Sequence, residues 1–214
     1  MSDLELDDSK DRLGLVELIY GVLFSPTAAF ARVSRENQLF NGFVLFLAVT
    51  LVSSVVNFIG ARDFSDLPPE FAGAFTEAGP YMGILAAVFA FISWFVQAGI
   101  LQVFAELLGG KGRALQVLTV LALAGIPKAF AIPFQVLGFF FSGSMISTFL
   151  SVAVSLSVII WSLALMVIGL REVHGFSTGR AAAVFALPLG ALGLAFLIMV
   201  LSLAGFLIPL INSI

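Results

Sequence analysis

Five apolar runs dominate the chain, near residues 40–60, 81–106, 114–141, 145–169 and 181–211, with short polar breaks between them. Each can cross roughly 30 Å of hydrocarbon, which takes about 20 helical residues. None shows the short alternating segments of a barrel strand. A helix satisfies its own backbone hydrogen bonds in lipid, so the pattern predicts five transmembrane helices. The fold class it implies is an all-α polytopic membrane bundle occupying residues 38–214.

Ahead of the first run the period changes. In "DRLGLVELIYGVLFSP", Leu15, Leu18, Ile19, Val22 and Leu23 fall at i, i+3, i+4, i+7 and i+8, one face of a helix too short to span. Ser25-Pro26 reads as an N-cap and a first-turn proline opening a second short helix through "TAAFARVSR". Residues 13–37 are therefore predicted to be cytoplasmic helices lying along the interface, with Arg32 and Arg35 near the headgroups. Packing of the same apolar face against the ends of the bundle is the competing reading. Residues 1–12, "MSDLELDDSKDR", are acidic and read as a disordered tail. They lack the basic start and apolar core of a secretory signal, and Ser2 does not suit myristoylation.

Composition supports lipid as the main solvent. The chain is 60% hydrophobic and 11% charged, where a soluble domain carries about 25% charged residues. Cysteine is absent, which excludes disulfides, thiolate metal sites, thiol nucleophiles and cysteine lipidation.

The placement of the cations orients the bundle. Lys10, Arg12, Arg32 and Arg35 precede the first run, Lys111 and Arg113 follow the second, and Arg171 and Arg180 follow the fourth. Arg62 follows the first run, and Lys128 lies within the third. The positive-inside bias then predicts a cytoplasmic N-terminus and an external C-terminus. "AELLGGKGRALQ" (105–116) becomes a tight cytoplasmic turn whose Lys111 and Arg113 are candidate contacts for anionic headgroups, as are Arg32 and Arg35. Its "GGKG" is not a phosphate loop: Ala105 stands where that motif needs glycine, and Gly112 where it needs Ser or Thr.

Three stretches in order resemble the Yip-domain family of five-pass membrane proteins: "LFSPTAAFARV", "LLGGKGRALQVLTVLALAGIP" and "IIWSLALMVIGLREVHGFSTGRAAAV", over roughly residues 20–205. The resemblance implies a cytosolic N-terminus, a short external C-terminus and no enzymatic activity. Eukaryotic relatives engage Rab-type GTPases in vesicle traffic. The pre-membrane region here, about forty residues, is shorter than theirs and looks like the bacterial form, which implies a bacterial cytoplasmic (inner) membrane.

Several polar residues fall inside the apolar runs. In the fourth, Ser144, Ser147, Ser151, Ser155, Ser162 and Gly169 share one helical face, which reads as a packing seam or the wall of a polar path. In the second, Ala86, Ala90, Ser93 and Gln97 share a face, and Gln102 and Glu106 point the other way. His174, the one histidine, has no second ligand at metal spacing and reads as a solvated loop residue.

Lys128 is the anomaly. It follows Pro127 near the middle of the third run, and Pro133 comes soon after. Two prolines predict a kinked or broken helix. A cation at this depth is costly and marks a candidate functional site. Gln97, Gln135, Ser155 and carbonyls freed by the prolines are its expected partners; the alternative is a shifted segment that lets the ammonium reach the external interface.

No nucleophile–base pair or metal set is visible, and no enzyme activity, cofactor or nucleic-acid partner is expected. The expected function is that of a membrane scaffold or organising protein contacting lipids (anionic ones among them), other membrane proteins or a second copy. The alternative is a small-solute or ion permease using a polar path around Lys128.

Overall fold

The computed structural model describes residues 14–36, 38–60, 69–140 and 144–212. The acidic tail, with Lys10 and Arg12, and the first-loop segment 61–68, with Arg62, lie outside the described residues. Among the described residues eight helices follow in order: α1 Leu15–Phe24, α2 Pro26–Val33, α3 Leu39–Gly60, α4 Pro69–Leu107, α5 Ala114–Ala124, α6 Pro127–Phe140, α7 Met145–His174 and α8 Thr178–Asn212. Five segments of the described residues are long and apolar enough to cross a membrane, the third built from α5 and α6 together. The protein is an integral membrane helix bundle.

The third span is the centre. In Ala114–Gly138, 56% of the most apolar window is buried, against 6–17% in the other four spans. α5 packs against α3, α4 and α7 and touches α1 and α2. Small residues allow the approach. A Cβ on Gly169 of α7 would stand 2.5 Å from Val120 Cγ1 and 3.1 Å from Phe30 Cε1, and one on Gly42 of α3 would stand 3.2 Å from Thr119 Cγ2. The outer helices turn large apolar side chains outward; Phe89, Phe149 and Phe196 are 71, 75 and 63% exposed. Contiguous apolar surface on this scale is stable only against lipid.

The predicted break in the third span is present and has local structure. Gly125, Ile126, Lys128 and Ala129 donate to Ala122, Leu123, Gly125 and Ile126 respectively, at 3.0–3.1 Å. These are i→i−3 bonds, a tightened turn inserted where Pro127 supplies no N–H. Pro133 lies inside α6.

Both N-terminal helices belong to the core. Leu18 and Val22 of α1 and Phe30 of α2 are fully buried, in one cluster with Val120, Leu123 and Leu165. The outer side of α1 is apolar too: Val16, Tyr20 and Phe24, at i, i+4 and i+8, are exposed, and Tyr20 and Phe24 rings lie 4.6 Å apart. Ser25 holds the N-cap position before Pro26, yet its hydroxyl makes no capping bond.

Two stretches differ in extent from the expectation. α4 begins at Pro69, so much of the polar stretch before residue 81 is helical; proline is well suited to a first helical turn. α7 continues to His174 and α8 starts at Thr178, which reduces the expected loop 171–180 to three residues. The buried face of α4 is Trp94, Ala98, Leu101 and Ala105, rather than the face carrying Ala86 and Gln97. Trp94 decides this: its indole N–H donates to Leu118 O at 3.1 Å and its ring stacks on Phe46 at 4.4 Å.

Candidate functional site

One end of the bundle gathers the α2–α3 junction, the α4–α5 turn and the α7–α8 turn. This basic end carries Arg32, Arg35, Lys111, Arg113, Arg171 and Arg180.

The α4–α5 turn is built from its glycines. Gly109 has φ +83, and the N–H groups of Gly109 and Gly110 donate to Glu106 O at 2.9 Å and Ala105 O at 2.8 Å. Those are the paired bonds of a Schellman ending, which asks for one left-handed residue. Gly110 and Gly112 serve a different purpose. A Cβ on Gly110 would lie 2.6 Å from His174 Nδ1, and one on Gly112 would lie 2.6 Å from Val173 Cγ1 and 2.8 Å from His174 Nδ1. The turn is glycine-rich because it is pressed onto the end of α7.

His174 is the residue it is pressed onto. The expectation of a solvated loop histidine is overturned: it sits in the last turn of α7 and is 2% exposed. Gly175, with φ +68, ends the helix immediately after it and folds Phe176 back, stacking the two rings at 5.3 Å. The Gly112 N–H donates to His174 Nδ1 at 3.1 Å, which makes Nδ1 the acceptor nitrogen of a neutral ring. The Gly112 carbonyl in turn accepts from Gln102 Nε2 at 3.0 Å, and Gln102 also donates to Glu106 Oε1 at 2.7 Å. Both backbone groups of Gly112 are thus engaged by buried side chains. The sequence held a signal for this arrangement: three glycines in four positions exceed what one turn needs, and the excess marks a close neighbour.

Two further ties close the basic end. Arg171 pairs with Glu172 at 2.7 Å and donates to Thr27 Oγ1 on α2 at 3.3 Å. Gln116 Nε2 donates to Ser34 O at 2.8 Å, and its Oε1 accepts from the Arg113 N–H at 2.8 Å. Beside Gln116 lies an open cleft of about 410 Å³, its walls carrying Arg35, Glu36, Lys111 and Arg113. Arg32 does not line it.

The intramembrane residues divide. Lys128 and Gln97 line one cavity of about 210 Å³ at the α5–α6 break, with Thr50, Ser93 and Ser162. The Ser162 hydroxyl is buried there without a partner among the described residues. Gln135 and Ser155 do not line this cavity; both are exposed on the outer surface. The Lys128 side chain is exposed, and its ammonium makes no hydrogen bond or ion pair among the described residues. Of the serine stripe on α7, Gly169 is buried and Ser147 and Ser162 are half-buried, whereas Ser144, Ser151 and Ser155 are exposed.

Among the described residues, no three His, Cys, Asp or Glu side chains are grouped to hold a metal ion. No curated protein and no solved structure matches the chain. Residues 20–201, from the middle of α1 to the last span, match the Yip1 domain. That stretch contains the core-packed α2, the glycine turn on His174, the first four spans and most of the fifth, and the chain belongs to the Yip1 domain family.

Proposed function

We propose that the protein works without catalysis, as a membrane-organising protein whose contact face is the basic end of the bundle. It sits in a bacterial cytoplasmic membrane with this end in the cytosol, as the cation asymmetry favours. The observation that carries the reading is the fusion of α1 and α2 into the bundle core, through Phe30, Leu18 and Val22. That packing holds the outward stripe of Val16, Tyr20 and Phe24 in a fixed relation to the cations of the α4–α5 turn. A rigid, half-apolar, half-basic face is suited to binding lipid headgroups, other membrane proteins or a second copy.

The test is site-specific photocrosslinking in native membranes. A photoreactive side chain at Tyr20 or Lys111 is expected to give discrete protein adducts, and one at lipid-facing Phe196 only lipid. Adduct patterns at Tyr20 and Lys111 that match Phe196 would remove the contact-face reading.

A permease reading is favoured by one observation, the mostly apolar cavity that brings Lys128, Gln97 and the unpartnered Ser162 hydroxyl together. The two readings separate at Lys128→Met. The organising role predicts that the adducts at Tyr20 are unchanged by this substitution and that sealed proteoliposomes show no solute or ion leak above protein-free vesicles. A leak abolished by Lys128→Met in folded protein would establish transport instead.

A further inference from the structure

We propose that the cleft between the α2–α3 junction and the α4–α5 turn binds a phosphate-bearing anion. This deepens the contact-face reading by naming a ligand chemistry for that face, and it rests on that reading for its cytosolic, headgroup-level placement. Arg35 approaches from the segment after α2, and Lys111 and Arg113 from the turn before α5. None of the three has an ion pair among the described residues. The one carboxylate in the wall, Glu36, is already engaged by Gln38 Nε2 at 2.9 Å. Three cations against one carboxylate leave an excess of positive charge around one concavity, which focuses a positive potential that a solvated, dispersed set would not.

The cleft is built rather than incidental. Gln116 bonds both walls, through Ser34 O and the Arg113 N–H. Its lining includes Gln38 and Thr119, which are 4 and 1% exposed. Gln38 is fixed from the other side by Asn41 Nδ2 at 2.7 Å. The volume, about 410 Å³, lies within the roughly 300–1,000 Å³ of small-ligand sites and exceeds what a bare phosphate needs. Arginine forks suit phosphate oxygens, and the partial positive charge at the start of α5 has the right sign. The first residues of two spans, Leu39 and Ala114, adjoin the cleft, which puts it at the depth of lipid headgroups. A lipid phosphodiester and a free phosphate share this chemistry. Phosphatidylcholine does not suit the cleft, because its choline cation would face the arginines.

The test uses the full-length protein in a neutral detergent at fixed ionic strength, with bound lipid counted by native mass spectrometry. Phosphatidylglycerol is expected to bind at least tenfold better than phosphatidylcholine. R35Q/K111Q/R113Q is expected to lose that preference, and R32Q/R180Q, which removes two cations from the same end outside the cleft, to keep it within twofold. Should the triple variant not fold, K111Q alone, an exposed change, is expected to weaken binding about threefold or more. Competition by inorganic phosphate assigns the site to free phosphate; no competition assigns it to a lipid headgroup. An unchanged preference in the triple variant, or in K111Q where the triple does not fold, overturns the proposal, as does an equal loss in R32Q/R180Q. Loss of the Tyr20 crosslinks with lipid preference intact would remove the organising role and leave the site.

Discussion

Phe30→Ala is expected to lower the melting temperature of the detergent-solubilised protein by on the order of 10 °C. Phe30 is fully buried between α5 and α7, with its Cε1 against the space that a Cβ on Gly169 would enter. Emptying a site of this kind costs about 3–5 kcal/mol, the lost transfer energy plus the cavity. For a chain of this size each kcal/mol is worth roughly 2–4 °C. Phe196→Ala is the matched control, because Phe196 is exposed on the lipid side of α8 and its loss should cost under about 0.5 kcal/mol. The comparison separates two pictures of the N-terminal helices. A helix resting on lipid would lose little on Phe30→Ala, whereas one built into the core loses as a core residue does. Differential scanning fluorimetry of the two variants distinguishes them.

Gly112→Val should be nearly as damaging, for a reason specific to the α4–α5 turn. Even a single added carbon meets Val173 at 2.6 Å and His174 at 2.8 Å, and valine adds two more. Overpacking of this kind costs about 1–3 kcal/mol. The displaced turn also strains the Gly112 N–H bond to His174 Nδ1, worth about 1 kcal/mol. Gly179→Ala makes the control, because nothing lies near its Cβ position. Truncating the crowding ring should restore part of the loss. The double variant Gly112→Ala with His174→Ala is therefore expected to be more stable than the two single losses add up to, a coupling of roughly 0.5–3 kcal/mol. Strict additivity in thermal melts would show that the turn and the α7 end are not in contact.

What was legible in the sequence depended on how local its cause is. The spans were readable because length and apolar content act segment by segment, and the break at Pro127 because a missing N–H acts within one turn. The burial of Trp94 on α4 was not legible, because its indole finds a carbonyl on α5 that no periodicity reveals. His174 was misjudged for the same reason. Its burial depends on Gly110 and Gly112, more than sixty residues away in the chain. At Lys128 the sequence suggested three polar side chains as companions, and the structure sets Gln97 with it around the cavity while Gln135 and Ser155 point elsewhere. The convergence of Arg35 with Lys111 and Arg113 follows from packing of α2 against α5 and α7, a tertiary fact outside the reach of charge counting.

The central claim is that the basic end is a cytosolic contact face, and thiol labelling of intact cells tests it most directly. The chain has no cysteine, so Lys111→Cys and Met145→Cys each introduce a single target. Both positions are exposed, one in the α4–α5 turn and one at the start of α7 at the opposite end of the bundle. An impermeant external reagent is expected to label Cys at 145 in intact cells and to reach Cys at 111 only after the cells are opened. Labelling of Cys at 111 in intact cells, with Cys at 145 protected, would contradict the account.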